Sequence, residues 1–147
     1  MPPPLYLLFS MQSLFHRPEL GLLIIRVAVG ASLFWFGLQK FLGGQDVLRA
    51  VGSNVSKLGI AVPQDTVLPL FFGIMAALVQ SLGGALLVVG FAMRSAVAAL
   101  LLVMLVALTT AYQQNGAFQS WGYPLIMVTT LLGLLFTGPG RLSIQKD

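Results

Sequence analysis

The sequence predicts an all-α membrane protein, a bundle of four transmembrane helices with an interfacial amphipathic helix between helices 1 and 2. Three observations carry that prediction. Of the 147 residues, 57% are hydrophobic and only 8% charged, against roughly 25% charged in soluble domains, so the chain cannot furnish a polar shell. Four apolar stretches recur, each approaching the length that a rise of 1.5 Å per residue needs to cross ~30 Å of hydrocarbon. Glycine, proline and polar residues gather between those stretches, where helices must end.

Charge narrows the partners. The net charge of +4 is small and scattered, with no basic run, which argues against nucleic acid. Each cation stands near the end of an apolar segment, where lipid head groups receive it. There is no cysteine, which removes disulfide and thiolate chemistry from the chain itself.

Residues 1–19 form an expected N-terminal interfacial arm. Its apolar part, 5–15, follows three prolines and is too short to span. The opening segment has neither a basic n-region nor a small-residue cleavage site, so a cleaved signal peptide is not expected. His16 has no second His, Cys or acidic cluster beside it, and no metal site is expected. Pro18 and Glu19 suit the first turn of a helix.

Residues 20–144 form the expected transmembrane domain. Its first span, 20–41, places Arg26, Gly30, Leu33, Gly37 and Lys40 at steps of four, three, four and three, hence on one helical face. Two glycines between two cations suit a face turned to other helices rather than to lipid. Gly43-Gly44 breaks the span. Residues 45–58 then alternate Val47, Leu48, Val51, Val55 and Leu58 against Asp46, Arg49, Asn54 and Lys57, an amphipathic pattern expected along the membrane surface.

The second span, 67–89, carries Gly73, Ala76, Gln80 and Gly83 with Gly84 along one side. Small residues at that spacing let helices approach closely, and a lone amide can hydrogen-bond across the contact. Gly90 and Arg94 mark a tight turn into the third span, 95–111. A polar loop at 112–116 is expected before the fourth span, 121–137, with Tyr112, Trp121 and Tyr123 forming an aromatic belt at the shared end. Thr109, Thr110, Thr129 and Thr130 are expected to bond back to their own helix carbonyls. Cations number four on the side of the termini and three on the other, which favours cytoplasmic termini.

Arg26, Gln80, Lys40 and Trp35 are the candidate ligand-binding residues. Arg26 is a charge inside a span, costing at least ~2.5 kcal/mol on insertion scales. It either reaches the head groups, since helical side chains lean toward the N-terminus, or makes a structural hydrogen bond, or serves a ligand or proton role. Gln80 either joins helices or donates to a ligand. Lys40 either complements the negative end of its helix or attracts an anion. Gly30, Gly37, Gly73, Gly83 and Gly84 are the expected helix-packing residues. No catalytic nucleophile–base pair or metal cluster is visible.

Three motifs resemble the DoxX family of small four-helix membrane proteins. The first is Leu23-Ile24-Ile25-Arg26 followed by Gly30, Phe34 and Gly37-Leu38-Gln39-Lys40-Phe41. The second is Gly83-Gly84 with Gly90 and Arg94, and the third is Gly138-Pro139-Gly140-Arg141-Leu142-Ser143-Ile144. Gln80 stands where that family usually has a membrane Glu, and no His occurs near Tyr112-Gln113 where many members carry one. Gln145 stands where a terminal Asp is common. The resemblance implies a bacterial inner (cytoplasmic) membrane. Some members are similar to the membrane subunit of thiosulfate:quinone oxidoreductase, and others accompany redox proteins or act as membrane chaperones.

The first functional expectation is therefore a non-catalytic accessory or anchor subunit of a larger, redox-related membrane complex. It would have no intrinsic cofactor and would partner the lipid bilayer and other membrane or membrane-associated protein subunits. The second is a quinone-binding oxidoreductase subunit, with Arg26, Gln80 and Trp35 lining one pocket and Arg26 and Gln80 donating to quinone carbonyls. A small-solute carrier would need a polar path for which the chain offers few residues.

Overall fold

The computed structural model describes residues 18–115, 117–138, 140 and 143, so the expected arm at 5–15 and His16 lie outside the described residues. Among the described residues five α-helices follow in order: α1 (Pro18–Leu42), α2 (Gly44–Ser53), α3 (Leu68–Val89), α4 (Met93–Asn115) and α5 (Phe118–Thr137), with a 3-10 turn (Asn54–Leu58) after α2. Four of them, α1, α3, α4 and α5, are long and apolar enough to cross a membrane. The molecule is an integral, multi-pass membrane protein.

The chain ends its helices where the backbone demands it. Gly44 and Gly90 take positive φ, +77° and +75°, which glycine adopts without a Cβ penalty. Gly90 closes α3 by donating its N–H to the Leu86 carbonyl, the left-handed cap common at helix ends. Two boundaries differ from expectation. Tyr112, Gln113 and Gln114 continue α4 instead of looping, because Gln propagates a helix well and no glycine intervenes before Gly116. α5 begins at Phe118 rather than Trp121, leaving only residues 116–117 as the connection.

Glycine sets how closely the helices meet. A Cβ placed on Gly84 would lie 2.5 Å from Phe34 N and 2.6 Å from Gly30 O, and one on Gly37 would lie 2.5 Å from Ser81 N. α1 and α3 therefore touch backbone to backbone and run antiparallel, the approach that small residues permit in membranes. α2 docks on the first turns of α3 in the same way. A Cβ on Gly73 would stand 1.8 Å from Leu48 O, and one on Gly52 would stand 1.7 Å from Pro69 O. Gly83 instead leaves room for the Leu100 side chain, 2.9 Å from its would-be Cβ, and so sets the α3–α4 distance.

Around these contacts the apolar core joins Leu33 of α1, Leu87 of α3, Val97 and Leu100 of α4 and Leu131 of α5, all fully buried. Phe36 and Tyr123 rings, 5.1 Å apart, link α1 to α5. Phe118 and Trp121 meet edge to face at 4.9 Å, with Tyr112 against Trp121 at 6.3 Å. α2 keeps Leu48 and Gly52 buried and exposes Asp46 and Arg49.

Candidate functional site

One face of α1 organises both polar regions of the bundle. Arg26, Gly30, Leu33 and Gly37 are buried and Lys40 is half-buried, while the two cations stand fourteen residues apart, roughly 21 Å along the axis. Side chains on a helix lean toward its N-terminus. For Arg26 that direction leads to the end of the bundle. For Lys40 it leads inward.

Arg26 is only 2% exposed. A Cβ on Gly90 would lie 2.8 Å from Arg26 Nη1 and 2.9 Å from Ser143 Cβ, so the guanidinium is packed beneath the α3–α4 turn and the C-terminal segment. Gly140 lies over the first turns of α1. The would-be Cβ of Gly140 lies 2.7 Å from Leu22 Cδ2 and 3.4 Å from Glu19 Oε2, and the Ser143 hydroxyl donates to the Gly140 carbonyl at 2.9 Å.

Gln80, also 2% exposed, is met by Lys40 and not by Arg26: Lys40 Nζ donates to Gln80 Oε1. Lys40 thus turns away from the last carbonyls of its own helix, and the expected cap role gives way to a contact between α1 and α3. Gln80 stands twelve residues from Leu68 and nine from Val89, roughly 18 and 14 Å from the helix ends. The pair lies near mid-depth of the bundle.

A chamber of about 850 Å³ opens beside this pair. Lys40 contributes to its wall, α3 supplies Phe72, Met75 and Val79, and α4 lines it from Ala99 to Ala111. Val51, Asn54, Val55 and Leu58 of α2 and the 3-10 turn complete it. Leu102, on its α4 side, is 68% exposed, which places the chamber in contact with the region lipid would occupy.

Thr110 lines the same chamber and behaves unlike the other threonines. Thr109 Oγ1 donates to Val106 O at 2.9 Å, and Thr130 Oγ1 donates to Ile126 O at 2.7 Å. Thr129 bonds back likewise. Thr110, 7% exposed, has no hydrogen-bond partner for Oγ1 among the described residues, against the expectation of back-bonding. α4 is rotated so that Thr110 faces inward and Thr109 does not.

Trp35 is 55% exposed and lies outside the chamber wall. Two residues from buried Leu33, it is turned by about 200° to the opposite side of α1. The expected trio of Arg26, Gln80 and Trp35 is thus not brought together, whereas Lys40, Gln80 and Thr110 are near one cavity. Asn54 and Thr110 are not among the ligand-binding residues expected from the sequence. The faint signal for Thr110 is its place on the face shared by Ala99, Val103 and Ala107, small residues that leave space. Among the described residues no group of three His, Cys, Asp or Glu could hold a metal ion.

Chemically, the chamber suits a lipid-soluble molecule with a hydrogen-bond-accepting head. An ammonium carries three donors and an amide two, so the Lys40–Gln80 contact leaves donors over. A DoxX family model matches residues 21–113, from the first turns of α1 into the end of α4. The chain belongs to the DoxX family. In this DoxX protein the matched region takes in Arg26, Lys40, Gln80 and Thr110, while α5 and the Gly138 to Ser143 segment lie beyond it. No curated protein and no solved structure matches the chain.

Proposed function

We propose that this DoxX protein is the membrane-embedded subunit of a larger, redox-related complex, and that its own part is to hold a quinone in the chamber beside Lys40. The observation supporting this reading is the Lys40–Gln80 pair, set near mid-depth against an apolar wall. Acidic amphiphiles keep their heads at the interface, because an ion is costly in hydrocarbon. A neutral quinone ring partitions into the hydrocarbon and can present its carbonyls at that depth. Lys40 and the Gln80 amide would donate to a carbonyl, and the α3 and α4 walls would hold the tail. A bound quinone supplies acceptance of electrons, and in this reading the partner subunit delivers them. The chamber wall is too apolar to favour a small-solute path.

The protein is placed in a bacterial inner membrane with cytoplasmic termini under this proposal. The test is gentle purification from native membranes, with mass spectrometry of co-purifying proteins and lipid-soluble cofactors together. Bound quinone that disappears in Lys40→Met but persists in Arg26→Met is the expected result. A stoichiometric partner without quinone would leave a non-catalytic anchor subunit, and neither partner nor quinone would overturn both readings.

A further inference from the structure

We infer that the chamber selects a ligand with two hydrogen-bond acceptors at opposite ends of one rigid ring, a para-dicarbonyl held between Lys40 at its deep end and Thr110 at its shallow end. This rests on the quinone reading above and adds to it a specificity that Lys40 alone does not give. Thr110 carries the inference because its hydroxyl is buried, lines the chamber and has no partner among the described residues. The neighbouring Thr109 shows that the same helix readily satisfies such a hydroxyl. A buried hydroxyl left unmet is unfavourable, so an acceptor in the chamber stabilises it.

The spacing fits. α3 and α4 are antiparallel and joined by the short turn between Val89 and Met93. Gln80 stands nine residues above that turn and Thr110 seventeen, a difference in level of roughly 12 Å. Both side chains lean toward their own helix N-termini, which brings them toward each other and closes the gap to on the order of 10 Å. Two para oxygens about 5 Å apart, each accepting a hydrogen bond of about 2.9 Å, span about 11 Å. A ligand with a single acceptor would satisfy Lys40 and leave Thr110 unmet.

The experiment compares two probes with the same decyl tail, a 1,4-benzoquinone and an aryl monoketone, by equilibrium binding to the purified full chain in lipid nanodiscs. Wild type should bind the dicarbonyl about fivefold more tightly, the worth of one hydrogen bond. Thr110→Val should remove that preference without changing monoketone affinity, and Thr110→Ser should restore it. Lys40→Met should weaken both probes tenfold or more. Equal wild-type affinities for the two probes would overturn the inference while leaving a carbonyl site in place, and this readout needs no variant to fold. An unchanged preference in Thr110→Val would also overturn it. Failure of both probes to bind wild type would instead remove the quinone reading, and this inference with it.

Discussion

The two ends of the α1 face carry the same kind of group in opposite surroundings. At one end Arg26 is enclosed by the backbone of the α3–α4 turn and the C-terminal segment. At the other, Lys40 reaches a neutral amide beside an 850 Å³ chamber. Sequence spacing treats the two cations alike. The difference follows from the direction in which helical side chains lean and from where glycine brings the helices together. Arg26 leans out of the bundle and is covered; Lys40 leans into it and is left facing space. Arg26 is enclosed by its own fold, while Lys40 faces a cavity and is available to a ligand.

Substitutions can break or sharpen this contrast. The largest effect is expected at the glycine seam that both ends share. Gly84→Val would drive side-chain atoms into Phe34 N and Gly30 O, neither of which can yield, and should lower stability by about 3 kcal/mol or more, read as loss of the folded protein in detergent thermal melts. Next, Arg26→Met should lower the melting temperature, by the equivalent of about 1–3 kcal/mol for groups that lose their buried partner, while leaving ligand binding intact. Lys40→Met should do the reverse. Lys40 is half-buried near the end of α1, so removing its ammonium recovers part of a desolvation cost, which offsets the penalty of stranding Gln80 Oε1. The melting temperature should therefore hold, within about 1 kcal/mol, while quinone retention is lost. If Lys40→Met unfolds the protein and Arg26→Met loses the ligand, the contrast is inverted. The smallest effect belongs to Gly133, where a Cβ meets nothing within 4 Å. Gly133→Ala should stay within about 0.5 kcal/mol, separating contact glycines from incidental ones by the same melt.

Much of the bundle is legible in the sequence because lipid imposes length and apolarity on every span, and the Arg26-to-Lys40 periodicity marks the inward face of α1. The pairing across that face is not legible. It depends on the register of α1 on α3, set by Gly30 against Gly84 and Gly37 against Ser81, and that register sends Gln80 to Lys40 rather than to Arg26. Thr109 and Thr110 are indistinguishable as letters; only the rotation of α4 in the packed bundle separates them. Gly52 is silent in another way. Nothing in the amphipathic stretch 45–58 marks it, yet it is the point where α2 meets Pro69 of α3. The polar run after Ala111 suggested a loop, and Gln113 and Gln114 kept the helix going.

The position of the chamber has a directional consequence. Its α3 and α2 walls lie toward the end of the bundle where α2 sits, while its α4 wall climbs past mid-depth to Ala99. Under the quinone proposal, most of the α2 and α3 surface that a ligand meets there faces the leaflet that receives the C-terminus of α1. The inserted orientation of the chain would then decide in which leaflet that ligand chiefly sits.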